Sequence, residues 1–247
     1  MRNSPYNLIH ALLVTGLLTY ATMSKGLGAY WQQFIYGLNQ TLSPRVLFVS
    51  LLVQSAFFAT LIIACWASTY ATHVLGSFRP VPSPPQPAPQ RGRALLFTLK
   101  IALPVTLVAL GLCAGGTKLI EWIFAVTPSE QELVKCFTDP NYTIGFRILL
   151  SLEVGILAPL LEELLFRGIV FRGLAKHLPL YLAMALSGFF FALIHTNAGS
   201  FLALWYLGVA FAWLYARTRT ILAPIALHAI FNLANLVLVF LFPDLAH

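Results

Sequence analysis

Long apolar runs, separated by short polar or proline-rich stretches, dominate the pattern along the chain. Each run approaches or exceeds the roughly 20 residues that an α-helix needs to cross the hydrocarbon core of a membrane. The pattern predicts seven membrane-spanning helices, at residues 7–23, 46–68, 95–115, 144–177, 180–196, 201–216 and 221–242. The fourth run is too long for a simple span, so we expect its helix to tilt, to bend at Pro159 or to extend beyond the bilayer.

Two stretches between these runs are aromatic or amphipathic, at 26–42 and 117–126, and suit the membrane interface. If 117–126 crossed the membrane instead, the chain would have eight spans. The predicted fold class is therefore all-α, a polytopic transmembrane helical bundle of about seven to eight spans.

Prolines divide the chain into two transmembrane parts. Six prolines lie between Arg79 and Arg93, which predicts an extended, polyproline-type linker, with a partner-binding P-x-x-P motif as the alternative. The predicted organisation is an N-terminal transmembrane section at 1–76, a Pro-rich linker at 77–94 and a second transmembrane domain at 95–242, whose motif core lies at about 145–242.

Composition supports a membrane protein. The chain is 59% apolar and only 9% charged, with a mean hydropathy of +0.81, which excludes an ordinary soluble domain. The net charge of +7 could indicate nucleic acid binding in a soluble protein, but here the basic residues lie mostly between apolar runs. We therefore expect no nucleic acid partner. With seven spans, nine Lys and Arg residues lie on the side of the membrane that carries the N-terminus, and four lie on the opposite side. This excess favours a cytoplasmic N-terminus and contact with lipid headgroups.

Two adjacent glutamates and an arginine interrupt the fourth apolar run. An ionisable group inside a membrane helix costs at least about 2.5 kcal/mol, so it is rarely incidental. Glu163 and Arg167 are four residues apart and can pair on one helix face. Glu162 points about 100° away and has no local cation. One carboxylate could therefore be neutralised while the other stays free for chemistry; an ion pair that only fixes helix packing is the alternative.

Three further polar residues lie in the later apolar runs. His195 and Glu163 are each 16 positions from Pro179, so an antiparallel hairpin turning there places them at equal depth. His228 and Asn232 are four apart and share a helix face. Packing and interhelical hydrogen bonding are the alternative explanations for these residues.

This set of side chains has a recognisable chemistry. A carboxylate and an imidazole together can activate a water as a general base. An amide and a second imidazole can donate hydrogen bonds to a developing oxyanion. The combination indicates peptide hydrolysis without a serine or cysteine nucleophile.

The same motifs, in the same order, resemble those of the CAAX-processing and bacteriocin-processing (CPBP, or Abi) intramembrane proteases, which include the type II prenyl endopeptidases. The pattern of that family is Glu-Glu-x-x-x-Arg, then Phe-x-x-x-His, then His-x-x-x-Asn. The matching stretches are Glu162-Glu163-Leu-Leu-Phe-Arg167, Phe191-Ala-Leu-Ile-His195 and His228-Ala-Ile-Phe-Asn232. The resemblance covers about residues 145–242 and leaves the first 94 residues outside.

The resemblance implies an integral membrane endopeptidase that acts on a peptide or protein substrate, with prenylated peptides among the candidates. It also implies three roles for the motif residues: Glu162 and His195 would activate the water, His228 and Asn232 would hold the oxyanion, and Glu163 with Arg167 would support the site.

Two questions stay open at this point. The family has been described both as metal-dependent and as glutamate-type; a divalent metal such as zinc would take Glu162, His195 and His228 as ligands. The H-E-x-x-H pattern of many zinc proteases is absent, and Arg167 disfavours a second cation nearby, so we favour a metal-free site. The other open function classes are a proton-coupled membrane transporter and a non-catalytic membrane immunity or scaffold protein.

Overall fold

The computed structural model describes residues 8–23, 44–75, 91–125, 136–137 and 142–242. These residues form seven helices, which confirms the predicted all-α fold. In chain order they are α1 (Leu8–Met23), α2 (Pro44–Leu75), α3 (Arg91–Phe124), α4 (Ile144–Leu174), α5 (Leu180–Ile194), α6 (Ala198–Thr218) and α7 (Leu222–Leu241). The predicted interfacial stretch 26–42 and most of the Pro-rich linker lie outside the described residues.

Four of these helices, α3, α4, α6 and α7, are long and apolar enough to cross a membrane. Helix α5 and the Leu52–Ser68 part of α2 are shorter apolar helices. Leucines cover the outer face of α3, with Leu96, Leu99 and Leu103 each more than half exposed, as a lipid-facing surface requires. The chain is an integral, multi-pass membrane protein.

Helix α3 corrects one prediction. The pattern predicts a span at 95–115 and a separate interfacial segment at 117–126, but the structure has one helix of 34 residues. Gly115 and Gly116 do not end it. Instead, Gly116 lies against the backbone of Gly199 in α6, so close that a side chain there would not fit. Small residues at helix crossings commonly serve such close approach in membrane proteins.

Helix α4 changes its helical type along its length. Two π-helical segments, Glu153–Leu157 and Leu164–Phe171, flank a short α-helical stretch, Ala158–Glu163. In the first segment the N–H of Ala158 donates to the carbonyl of Glu153, five residues back. Inserted π turns are rare and frequently occur at functional sites. The sequence predicts a possible bend at Pro159, and the helix leaves α geometry on both sides of that residue.

Helix packing places the motif residues in the interior. Helices α5 and α6 cross at Gly188 and Gly208, where a Cβ on Gly208 would lie 2.6 Å from the Cα of Gly188. The N-terminal helices α1 and α2 both pack against α4. Buried aromatic side chains fill the space between α4, α5 and α6, namely Phe166, Phe171, Phe191 and Phe211.

Candidate active site

The predicted ion pair lies at the centre of the bundle. Glu163 and Arg167 are both fully buried, and Glu163 Oε1 lies 3.0 Å from Arg167 Nη1, which confirms the pairing expected from their spacing. The same oxygen also lies 3.0 Å from Nδ1 of His228. Glu163 therefore connects α4 to α7 as well as neutralising the arginine.

Arg167 is held by three different kinds of contact. Besides Glu163, its Nη2 donates a hydrogen bond to the carbonyl of Gly208 at 3.0 Å. Its guanidinium lies over the rings of Phe191 and Phe211, at 4.8 and 5.0 Å from their centroids, within range of a cation–π interaction. These contacts fix the cation against α5 and α6.

The hydrogen bonds of the two histidines determine which ring nitrogen carries a proton. His195 Nδ1 lies 2.7 Å from the carbonyl of Phe191. A carbonyl only accepts, so Nδ1 donates and Nε2 keeps its lone pair. His228 Nδ1 faces the Glu163 carboxylate, whose same oxygen also pairs with Arg167. Nδ1 of His228 therefore also donates, and its Nε2 has a lone pair too.

These two lone pairs converge on the second glutamate. Nε2 of His195 and Nε2 of His228 each lie 3.9 Å from Glu162 Oε2. Within the described part of the chain this oxygen has no hydrogen-bond partner. A separation of 3.9 Å is too long for a direct hydrogen bond but can be bridged by one water. The predicted proximity of the glutamate pair to His195 is confirmed.

The side chain of Asn232 contacts the backbone of α4. Its amide Nδ2 donates to the carbonyl of Val154 in α4, at 2.8 Å. That carbonyl needs an outside donor because the residue five positions later is Pro159, which has no N–H to continue the π-helical bonding. One of the two amide N–H groups of Asn232 is thus used by the backbone, and the other stays available.

The structure adds residues that the sequence pattern did not single out. Glu153 is buried in the first π-helical segment and accepts a hydrogen bond from Ser55 of α2, at 2.5 Å. Phe211 stacks on the ring of His228, with centroids 4.8 Å apart. Glu153 could have been found as another ionisable residue in the fourth apolar run, whereas no sequence signal marks Phe211 as a neighbour of His228.

The proposed metal ligands have suitable donor types but a wide spacing. In a tetrahedral zinc site with bonds of about 2.0–2.1 Å, ligand atoms lie about 3.3 Å apart. The two nitrogens here are 3.9 Å from the Glu162 oxygen. Among the described residues, no group of three His, Cys, Asp or Glu side chains is arranged to hold a metal ion. As placed, these residues fit a bridging water better than a zinc ion.

Comparison with known proteins identifies the same part of the chain. Residues 144–234 match the family model described as type II CAAX prenyl endopeptidase Rce1-like. A protein of Bacillus subtilis (strain 168) named "Putative membrane peptidase YdiL" is 33% identical over 103 residues. That match covers 42% of this chain and only 41% of the relative. No solved structure matches the chain. Over residues 144–234, the chain is similar to the CPBP-type family.

Proposed function

We propose that the protein is a membrane endopeptidase that hydrolyses a peptide bond with a water activated by Glu162 and His195. One observation carries the proposal. Two histidine lone pairs and a carboxylate oxygen face one another across a gap of 3.9 Å, and the Nδ1 protons of both histidines are already used elsewhere. A water in this gap would donate its two hydrogens to two of these acceptors, Glu162 and His195, which leaves an oxygen lone pair to attack the substrate.

The reaction follows from the placement of these acceptors. Glu162 takes one proton from the water while the water oxygen attacks the carbonyl carbon of the substrate. His195 Nε2 accepts a hydrogen bond from the other hydrogen of the water. The carbonyl oxygen becomes an oxyanion. Glu162 then returns its proton to the amide nitrogen, the C–N bond breaks, and the products are a carboxylic acid and an amine.

Two residues are candidates for holding the oxyanion. Asn232 has one amide N–H left after its bond to Val154. His228 can donate through Nε2 only when its ring is protonated, and the Glu163 carboxylate at Nδ1 would stabilise that imidazolium. Hydrogen bonds of this kind contribute most where charge develops in a water-poor site.

The metal-free form of this mechanism is also a proposal. The spacing of the three acceptors suits a water, and the guanidinium of Arg167 disfavours a further cation nearby. If a metal such as zinc were bound, Glu162, His195 and His228 would hold it, and it would make its bound water more acidic.

The test uses the purified full-length protein and product mass spectrometry. The substrates are peptides offered with and without a prenylated cysteine, in detergent and in liposomes. We expect cleavage by the wild type, none by Glu162→Gln, and full activity for Glu121→Gln, which makes the same change at a glutamate of α3.

Three outcomes would contradict the proposal. Equal cleavage by Glu162→Gln would exclude the mechanism. Activity that is lost with a chelator and restored by zinc would exclude its metal-free form. Proton-coupled flux into sealed vesicles, with no cleavage product, would favour a transporter instead.

A further inference from the structure

A buried hydrogen bond links the motif helix to a helix outside the family match. Ser55 of α2 donates to Glu153 of α4 at 2.5 Å, and both side chains are less than a tenth exposed. The contact joins residues 98 positions apart, and only Glu153 lies within residues 144–234.

Glu153 lies where the register of α4 is set. It is the first residue of the first π-helical segment, and its own carbonyl accepts the five-residue bond from Ala158. The carbonyl of the next residue, Val154, is bound by Asn232 of α7. Two adjacent residues of α4 are therefore attached to α2 and to α7.

The register at this point controls the direction of Glu162. A π-helical turn contains about one residue more than an α-helical turn, so it rotates all later residues by about 100° relative to an uninterrupted α-helix. Glu162 follows Glu153 by nine positions and lies in the next α-helical stretch. If the π segment relaxed to α geometry, Glu162 would turn away from His195 and His228.

We propose that Ser55 and Glu153 are positioning residues: their hydrogen bond holds the π-helical register of α4 and so directs Glu162 toward the two histidines. The N-terminal helices are then part of the catalytic unit. The kinetic tests of this inference rest on the proposed function, because they use the rate of peptide hydrolysis to report the direction of Glu162.

The first experiment compares two isosteric losses of a hydroxyl in α2. Ser55→Ala removes the bond to Glu153, while Thr60→Val removes a hydroxyl that donates within α2, to the carbonyl of Ala56. We expect Ser55→Ala to lower kcat about tenfold to a hundredfold, with KM changed by less than about twofold. Thr60→Val should retain wild-type kcat. Equal effects of the two changes, or a change only in KM, would overturn the proposal.

A double-mutant cycle tests whether Ser55 acts through Glu153. Glu153→Gln keeps an acceptor oxygen but removes the charge. If the two residues act as one unit, the double variant loses about as much kcat as the more affected single variant. Multiplying losses, measured per folded molecule, would mean that the residues act separately and would overturn the pairing.

A measurement independent of activity separates this inference from the proposed function. Amide hydrogen exchange in peptides covering residues 153–163 reports the helical bonds of α4 directly. We expect faster exchange there in Ser55→Ala than in Thr60→Val, with α6 unchanged in both. Unchanged exchange at 153–163 would overturn the inference even if the enzyme is active. Faster exchange would support it even if Glu162→Gln retained activity and the proposed function failed.

Discussion

Glu162 and Glu163 lie on different sides of α4, and the groups around their two carboxylates differ. Glu163 is paired with the guanidinium of Arg167 and accepts from His228, both at 3.0 Å. Among the described residues, Oε2 of Glu162 has no hydrogen-bond partner and lies 3.9 Å from Nε2 of each of the two histidines. We call the side of α4 that carries Glu163 the paired side and the side that carries Glu162 the open side.

The difference shows how helix geometry can divide labour between identical residues. Adjacent positions point about 100° apart, so a cation four residues later reaches only one of them. The paired carboxylate orients His228, because it fixes the proton on Nδ1 and leaves Nε2 facing Glu162. The paired side therefore prepares the open side for its chemistry.

The largest expected effect comes from the open side. Glu162→Gln keeps the shape of the side chain but removes the general base, so kcat/KM should fall about 10²–10⁴-fold. Because no ion pair is broken, the midpoint of thermal unfolding should change by less than about 2 °C. Parallel measurements of activity and unfolding check this, and a large loss of stability would show that Glu162 is also structural.

The paired side should respond in stability. Glu163→Ala leaves Arg167 as an unpaired buried charge, which typically costs about 3–5 kcal/mol of the free energy of unfolding. Replacing both partners, in Glu163→Ala/Arg167→Met, should recover part of this loss because the unpaired arginine is removed as well. Glu162→Ala is the control. If it destabilises the protein as much as Glu163→Ala, the division between the two sides is wrong.

The sequence was sufficient for those parts of the site that depend on spacing along one helix or about one turn. The pairing of Glu163 with Arg167 follows from a separation of four residues. The place of His195 follows from equal distances to the turn at Pro179. The predicted limits of α5 and α7 differ from the structure by at most two residues at each end, because apolar runs mark them clearly.

Contacts that depend on helix register or on distant helices were not predictable in this way. Hydrophobic periodicity does not distinguish a π turn from an α turn. The sequence therefore does not predict that the carbonyl of Val154 needs a donor from Asn232. The sequence shows that Pro159 has no N–H. Which carbonyl this leaves without a partner depends on whether the helix has α or π register there. The bond from Ser55 to Glu153 joins two apolar runs, and apolar runs do not reveal which helices are neighbours.

A substitution at the crossing of α5 and α6 should have a smaller effect. A Cβ at Gly188 would lie 2.8 Å from the backbone nitrogen of Val209, so Gly188→Ala must push the helices apart. Such overpacking costs about 1–3 kcal/mol. It should also weaken the bond from Arg167 to Gly208, and so disturb the paired side first.

The matched control for this substitution is on α3. A Cβ at Gly111 would meet no atom of the described residues within 4 Å outside its own stretch of helix, so Gly111→Ala should be neutral or stabilising by up to about 1 kcal/mol. Thermal unfolding of both variants measures the contrast. If Gly188→Ala is as stable as Gly111→Ala, the close crossing does not hold Arg167 in place.

The smallest expected effect concerns Asn232 and its bond to the backbone. Asn232→Ala leaves the carbonyl of Val154 without its donor and should cost about 1 kcal/mol of stability. Pro159→Ala supplies the N–H that the π-helical register lacks, five residues after Val154. The double variant Pro159→Ala/Asn232→Ala should therefore be about as stable as Pro159→Ala alone, as thermal unfolding would show.

The activity of the same double variant separates the two roles of Asn232. If its remaining N–H holds the oxyanion, hydrolysis stays about 10²–10³-fold below wild type although stability has returned, because a backbone N–H inside α4 cannot replace a donor at the substrate. If activity returns together with stability, Asn232 acts only on the backbone of α4. The oxyanion would then depend on the protonated ring of His228, which the carboxylate of Glu163 supports from the paired side.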